Sequence, residues 1–149
     1  MSSAFKISIE IDQPVARVFE LFLDKKHFKE WKKDFIGYEP VSGIPGHVGA
    51  VTKLMYKRQT MMETIRVIHA PREIIADYEH RQGGKTNMYH TVTNRFTPIG
   101  EHKTLLEVET EITKVVGALM KLIIKLMSGA GKKYAQTQLD QLKVFAERG

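Results

Sequence analysis

The sequence predicts an α+β fold: an antiparallel sheet of six or seven strands, two short helices after the first strand, and a long C-terminal helix. Three observations predict it. Apolar and polar residues alternate strictly from Phe5 to Asp12, the period switches to a helical one from Pro14 to Trp31, and a series of strand patterns then gives way to a second helical stretch between Lys114 and Arg148.

In the first strand Phe5, Ile7, Ile9 and Ile11 form one face and Lys6, Ser8, Glu10 and Asp12 the other, so one side is a core face. Asp12 is placed to accept from the free N–H groups of a helix start, and Pro14 suits a first turn that needs no N–H. Val15, Val18, Phe19 and Phe22 then share one helical stripe, and Asp24 is a cap for a second short helix carrying Phe28 and Trp31.

Gly37, Gly43, Pro45, Gly46 and Gly49 break the chain, with a short strand predicted over 35–41. Strands are expected over 48–56, 61–69, 73–80, 86–97 and 103–113, separated by turns that include Ala70-Pro71-Arg72 and Gln82-Gly83-Gly84-Lys85. In 61–69, Glu63, Ile65 and Val67 alternate against Thr64, Arg66 and Ile68. The last strand is the clearest, with Leu106, Val108, Thr110 and Ile112 facing one way and Glu107, Glu109 and Glu111 the other.

From Lys114 onward, Lys114, Lys121, Lys125, Lys132 and Lys143 fall near one line of a helix, a solvent stripe. The opposite face is Val116, Leu119, Ile123, Met127, Ala130 and Tyr134, then Ala135, Leu139, Leu142 and Ala146, so it drifts around the axis. Gly129 and Gly131 sit where it drifts and predict a bend or loosened turn.

At 149 residues the chain is expected to be a single domain spanning 1–149. It has no cysteine, so disulfides and thiolate chemistry are excluded. The first residues lack the apolar run of a signal peptide, and a cytoplasmic location is expected. The formal charge of +6 is spread over pairs such as Lys25-Lys26, Lys32-Lys33 and Lys132-Lys133, read as solvated faces, without the Arg-rich, aromatic-interleaved run of a nucleic-acid surface. No nucleic-acid partner is expected. The six histidines lie on different elements without His-x-x-x-His or His-Glu-x-x-His spacing, so neither metal nor cofactor is expected.

The order of elements, with Ile9, Ile11, Pro14, Val18, Phe19, Asp24 and Trp31, then Pro71, then Phe96-Thr97-Pro98 and Gln138-Leu139-Asp140-Gln141-Leu142-Lys143, resembles the START-like or SRPBCC superfamily. These are helix-grip proteins that include polyketide cyclase-like and Bet v 1-like domains. The resemblance covers essentially the whole chain. It implies a curved sheet around the long helix, an apolar cavity between them, and a hydrophobic small-molecule ligand such as a lipid, quinone, sterol or polyketide.

The cavity candidates follow from strand period. If Phe96 faces inward, so do Met88, His90, Val92 and Asn94, whereas a register slip of one residue turns them all to water. His90 and Asn94 are then the polar groups of an apolar wall, able to bond a ligand oxygen. Tyr56 and Tyr78 are read first as packing residues with hydroxyls in reach of the cavity. Glu63 is expected at an outward or rim position, because buried carboxylates need partners; inside, it would give His90 an acid–base neighbour. The nominated ligand-binding set is Trp31, Tyr78, His90, Asn94, Met120, Ile123 and Met127, with no catalytic residue assigned.

The leading expectation is a carrier or sensor without enzymatic activity. The alternative is a cyclase or dehydratase-type enzyme using His90 with Glu63 or Tyr78. The third is an interaction module acting through 115–127, a stretch too short to span a bilayer but apolar enough to cover a cavity mouth, meet a second copy or lie on a membrane surface.

Overall fold

The structure, a computed structural model, describes residues 3–148, with the side chains of 3 and 126–128 outside the description. The elements are β1 (Ser3–Ile11), α1 (Val15–Leu23), a 3₁₀ turn (Lys25–His27), α2 (Phe28–Trp31), β2 (Phe35–Ser42), β3 (Val51–Tyr56), β4 (Thr60–His69), β5 (Glu73–Gln82), β6 (Lys85–Pro98), β7 (Thr104–Val115) and α3 (Ala118–Glu147). The strands form one antiparallel sheet in the order β1-β7-β6-β5-β4-β3-β2, so every neighbour except β1–β7 is joined by its own connection. The sheet curves over the helices, as the α+β, helix-grip expectation has it.

The start of α1 differs from the expected cap. Pro14 itself is the N-cap residue, and its carbonyl accepts from Val18 N at 3.1 Å, while the Asp12 side chain caps nothing. Asp12 instead donates its backbone N–H to Glu147 Oε2 at 2.7 Å, which ties the end of β1 to the end of α3. Asp24 does cap the next turn, accepting from Lys26 N at 3.0 Å.

Aromatic rings link the layers. Phe19 and Phe22 meet Phe96 of β6 edge-on at 5.1 and 5.3 Å, and Trp31 lies between Phe22 and Phe28 at 5.4 and 5.5 Å. Such edge-to-face pairs suit ring quadrupoles and fix the short helices against the sheet. Leu139, Leu142 and Ala146 of α3 complete the same core with Ile7 and Ile11 of β1.

Two irregularities decide which residues face inward. In β4, Ile65 pairs with Ala76 but Val67 pairs with Ile75, so Arg66 is an extra residue and the alternation flips behind it. Ile68, and not Val67, therefore joins the core. Between β6 and β7, Tyr89 pairs with Lys114 and His90 with Ile112, which leaves Thr113 as the extra residue.

The long helix also departs from its expected limits. β7 runs on through Val115, and Gly117 turns the chain at φ 88°, a conformation that favours glycine, so α3 begins only at Ala118. Lys114 thus belongs to a strand. The helical backbone continues unbroken past Gly129 and Gly131, so the expected loosening is not seen. The two halves nevertheless meet different surroundings: Leu139, Leu142 and Ala146 are buried, whereas Leu119 is 72% exposed and Leu122 53%.

Candidate ligand-binding cavity

Between the inner face of the sheet and α3 lies a cavity of about 270 Å³, just below the ~300–1,000 Å³ common for ligand pockets. Its apolar wall comes from every layer: Phe5 and Ile7 of β1, Phe22 of α1, Met88 and Val92 of β6, Val108 and Ile112 of β7, and Ala135 and Leu139 of α3. Trp31, Tyr78, His90 and Asn94 of the nominated set stand on this wall. Met120 and Ile123 do not; they lie on the first half of α3, where Ile123 is 38% exposed. α3 packs on the core through Ala135, Leu139, Leu142, Phe145 and Ala146, all in its second half, so the turns that carry Met120 and Ile123 are not held against the sheet. The side chain of Met127 lies outside the described residues.

Glu63 is buried, contrary to the rim expectation, and the reason is its partners. Lys25 Nζ stands 2.6 Å from Glu63 Oε1, and the Tyr78 hydroxyl donates to Glu63 Oε2 at 2.8 Å. Burial, reinforced by the Glu63 charge, pushes the Tyr78 phenol well above its ordinary range, so it stays a donor. Buried ions persist when paired and hydrogen-bonded in this way.

The Tyr78 ring stacks on His90, centroids 4.9 Å apart and planes within 12°. His90 Nδ1 is 2.9 Å from His80 Nε2, and His80 Nδ1 is 3.0 Å from Gln59 Oε1. With the Gln59 amide oxygen turned to His80, the consistent assignment puts the His80 proton on Nδ1 and lets Nε2 accept from His90 Nδ1–H. His90 Nε2 is then a bare lone pair. Burial pushes His80 down to about 4 and His90 to about 3, the latter helped by His80 and Lys32, so both rings are neutral at pH 7.

Lys32 also stands on the cavity wall, although the Lys32-Lys33 pair reads as a solvated face. Its Nζ lies 4.6 Å from the Trp31 ring centroid and 4.8 Å from that of Phe28. Burial lowers it to about 8, against an upward pull from Glu63 and a further downward push from Lys25. Three wall residues present buried polar atoms without a protein partner: Trp31 Nε1, Asn94 Oδ1 and Gln138 Oε1. Asn94 Nδ2, by contrast, donates to Ile74 O at 3.2 Å.

Lys25, Lys32, His80, Gln59 and Gln138 were not among the nominated residues. His80 had a readable signal, since the Gly83-Gly84 turn makes β5 and β6 a hairpin that brings two inward histidines close. Lys25 and Lys32 had none, because a short 3₁₀ turn followed by a single helical turn offers no period from which to read a face.

The exposed apolar side chains Val116, Leu119, Leu122 and Ile123 cluster before and in the first half of α3. Among the described residues no helix is long and apolar enough to cross a membrane.

Solved structures share this architecture at low identity. The crystal structure of Ara h 8.0201 matches with TM-score 0.76 and 13% identity, covering 100% of both chains. A conserved protein from Geobacillus kaustophilus matches with TM-score 0.76 and 14% identity, covering 99% of this chain and 96% of that one. A point mutant of Thalictrum norcoclaurine synthase in complex with a transition-state analogue gives TM-score 0.72 and 12% identity, over 98% of this chain and 94% of that one. Among curated protein sequences no relative matches. A family model described as polyketide cyclase / dehydrase and lipid transport matches residues 3–147, and the chain belongs to that family.

Proposed function

We propose that the protein is a carrier or sensor that holds a hydrophobic small molecule, of lipid, quinone, sterol or polyketide type, in the cavity under α3. The observation that carries this reading is the cavity itself: apolar side chains from β1, α1, β6, β7 and α3 with a few polar residues among them, including Lys32, His90 and Asn94. The family's lipid-transport description supports it, and the volume favours compact members of the ligand class. Solvent extraction of the purified protein followed by mass spectrometry tests the proposal, together with uptake of a quinone, a fatty acid and a sterol. A protein that yields no ligand and takes up none of the three overturns it.

One arrangement favours a second reading, a cyclase or dehydratase-type enzyme. Tyr78 and His90 share the wall, and Glu63 bonds Tyr78 from behind, so the acid–base groups are assembled. His90 Nε2 would take a proton from a substrate carbon or hydroxyl. A base held near 3 is weak at neutral pH, where efficient general bases sit near the working pH, and this supports binding as the leading reading. Turnover of a polyketide-like substrate that disappears in His90→Gln while binding persists would reverse that order.

The exposed apolar start of α3, flanked by Lys121 and Lys125, supports a lipid surface as the place where ligand is exchanged. Liposome sedimentation of wild type against Leu119→Lys tests this, with light scattering to detect a homodimer instead.

A further inference from the structure

The cavity is asymmetric in charge. Among the described residues its wall carries no carboxylate, and with both histidines neutral Lys32 is its one charged group. The neighbouring cation, Lys25, meets Glu63 at 2.6 Å, and the same carboxylate acts on Lys32 only from beyond ion-pair distance. No ion pair of Lys32 occurs among the described residues, although the outer cleft it borders holds Glu30 and Asp34 together with Lys29 and Lys33. Its ammonium lies over the faces of Trp31 and Phe28. Tyr56, Tyr78 and Tyr134, the other titratable wall groups, are all held protonated, by burial first, so none supplies a counter-charge. An ammonium held over two aromatic faces, on an apolar wall that carries no carboxylate, is a charged donor suited to an anionic oxygen.

We propose that Lys32 anchors the anionic oxygen group of a small amphiphile whose apolar body fills the cavity, so that the ligand class is a carboxylate-bearing molecule in preference to a neutral or cationic one. The proposal rests on the reading of the cavity as a hydrophobic-ligand site. Lys32 is a positioning and specificity group here, and the apolar wall supplies the bulk of the binding.

The test titrates the full chain with decanoate, decanol and decylamine below their aggregation limits, by calorimetry and by emission of Trp31, the protein's single tryptophan. Decanoate binds about ten- to a hundredfold more tightly than decanol, the size of a charge-assisted hydrogen bond, and decylamine most weakly. Lys32→Met erases the preference and keeps decanol binding; Lys32→Arg keeps the preference. Equal affinity for decanoate and decanol, or a preference that survives in Lys32→Met, overturns the anchor while leaving the cavity reading in place. If none of the three binds, the cavity reading and the anchor fall together.

Discussion

Lys25 Nζ and Glu63 Oε1 meet at 2.6 Å with both side chains buried, bridging the 3₁₀ turn after α1 to the middle of β4. The pair neutralises two charges in the core, and Tyr78 satisfies the second carboxylate oxygen. Removing one partner strands the other. Lys25→Met or Glu63→Gln is therefore expected to destabilise by about 3–5 kcal/mol in urea unfolding, while Lys25→Met with Glu63→Leu regains most of it. Equal cost for single and double variants would count against a coupled pair.

The two histidines make stability sensitive to acid. Both are held below the ordinary value of 6.5, at about 4 for His80 and about 3 for His90, so between those values and 6.5 the unfolded chain binds protons that the folded one refuses. Stability is full above about 6.5 and falls as pH drops from there toward 3. Thermal melts from pH 7.5 to 4 should show this decline, and His80→Gln with His90→Gln should flatten it.

Anion binding should have its own pH profile. Free Lys32 titrates at about 8, and a bound carboxylate holds it protonated, so binding takes up a proton above that point. Decanoate affinity is expected to be flat between pH 6 and 7.5 and to fall by up to about tenfold per pH unit above 8, whereas decanol affinity stays level. Calorimetry at pH 7 and pH 9.5 checks it, and a flat decanoate profile would contradict the role of Lys32.

At Gly131 the cavity wall is bare backbone. A Cβ built there meets nothing within 4 Å, so a larger side chain fits beside the cavity without a clash. Gly131→Ala should stabilise the helix by about 1 kcal/mol, and Gly131→Leu should block ligand uptake without loss of the fold. Melting temperature and decanol titration separate the two effects.

The sequence pattern was most legible where one period ran undisturbed from an anchored residue. Phe96 carries Asn94, Val92 and His90 onto the wall through β6, and Val108 and Ile112 follow in β7 for the same reason. It was least legible where a partner distant in sequence decides burial. Glu63 reads as a rim residue until Lys25 is placed beside it, and Lys32 reads as solvent-facing until its turn packs on Trp31 and Phe28. The flip at Arg66 and the strand extension to Val115 are irregularities of backbone that no alternation pattern announces. The first displaces Ile68 into the core and the second moves the start of α3 to Ala118.

Because Leu139, Leu142 and Ala146 hold α3 to the sheet while Leu119, Leu122 and Ile123 face outward, the helix is divided between residues whose loss costs core packing and residues whose replacement does not. Substitutions at exposed positions such as 119, 121 and 122 should each change stability by no more than about 0.5 kcal/mol. The outer half of α3 is thus the part of the chain where a new surface preference can evolve without endangering the container behind it.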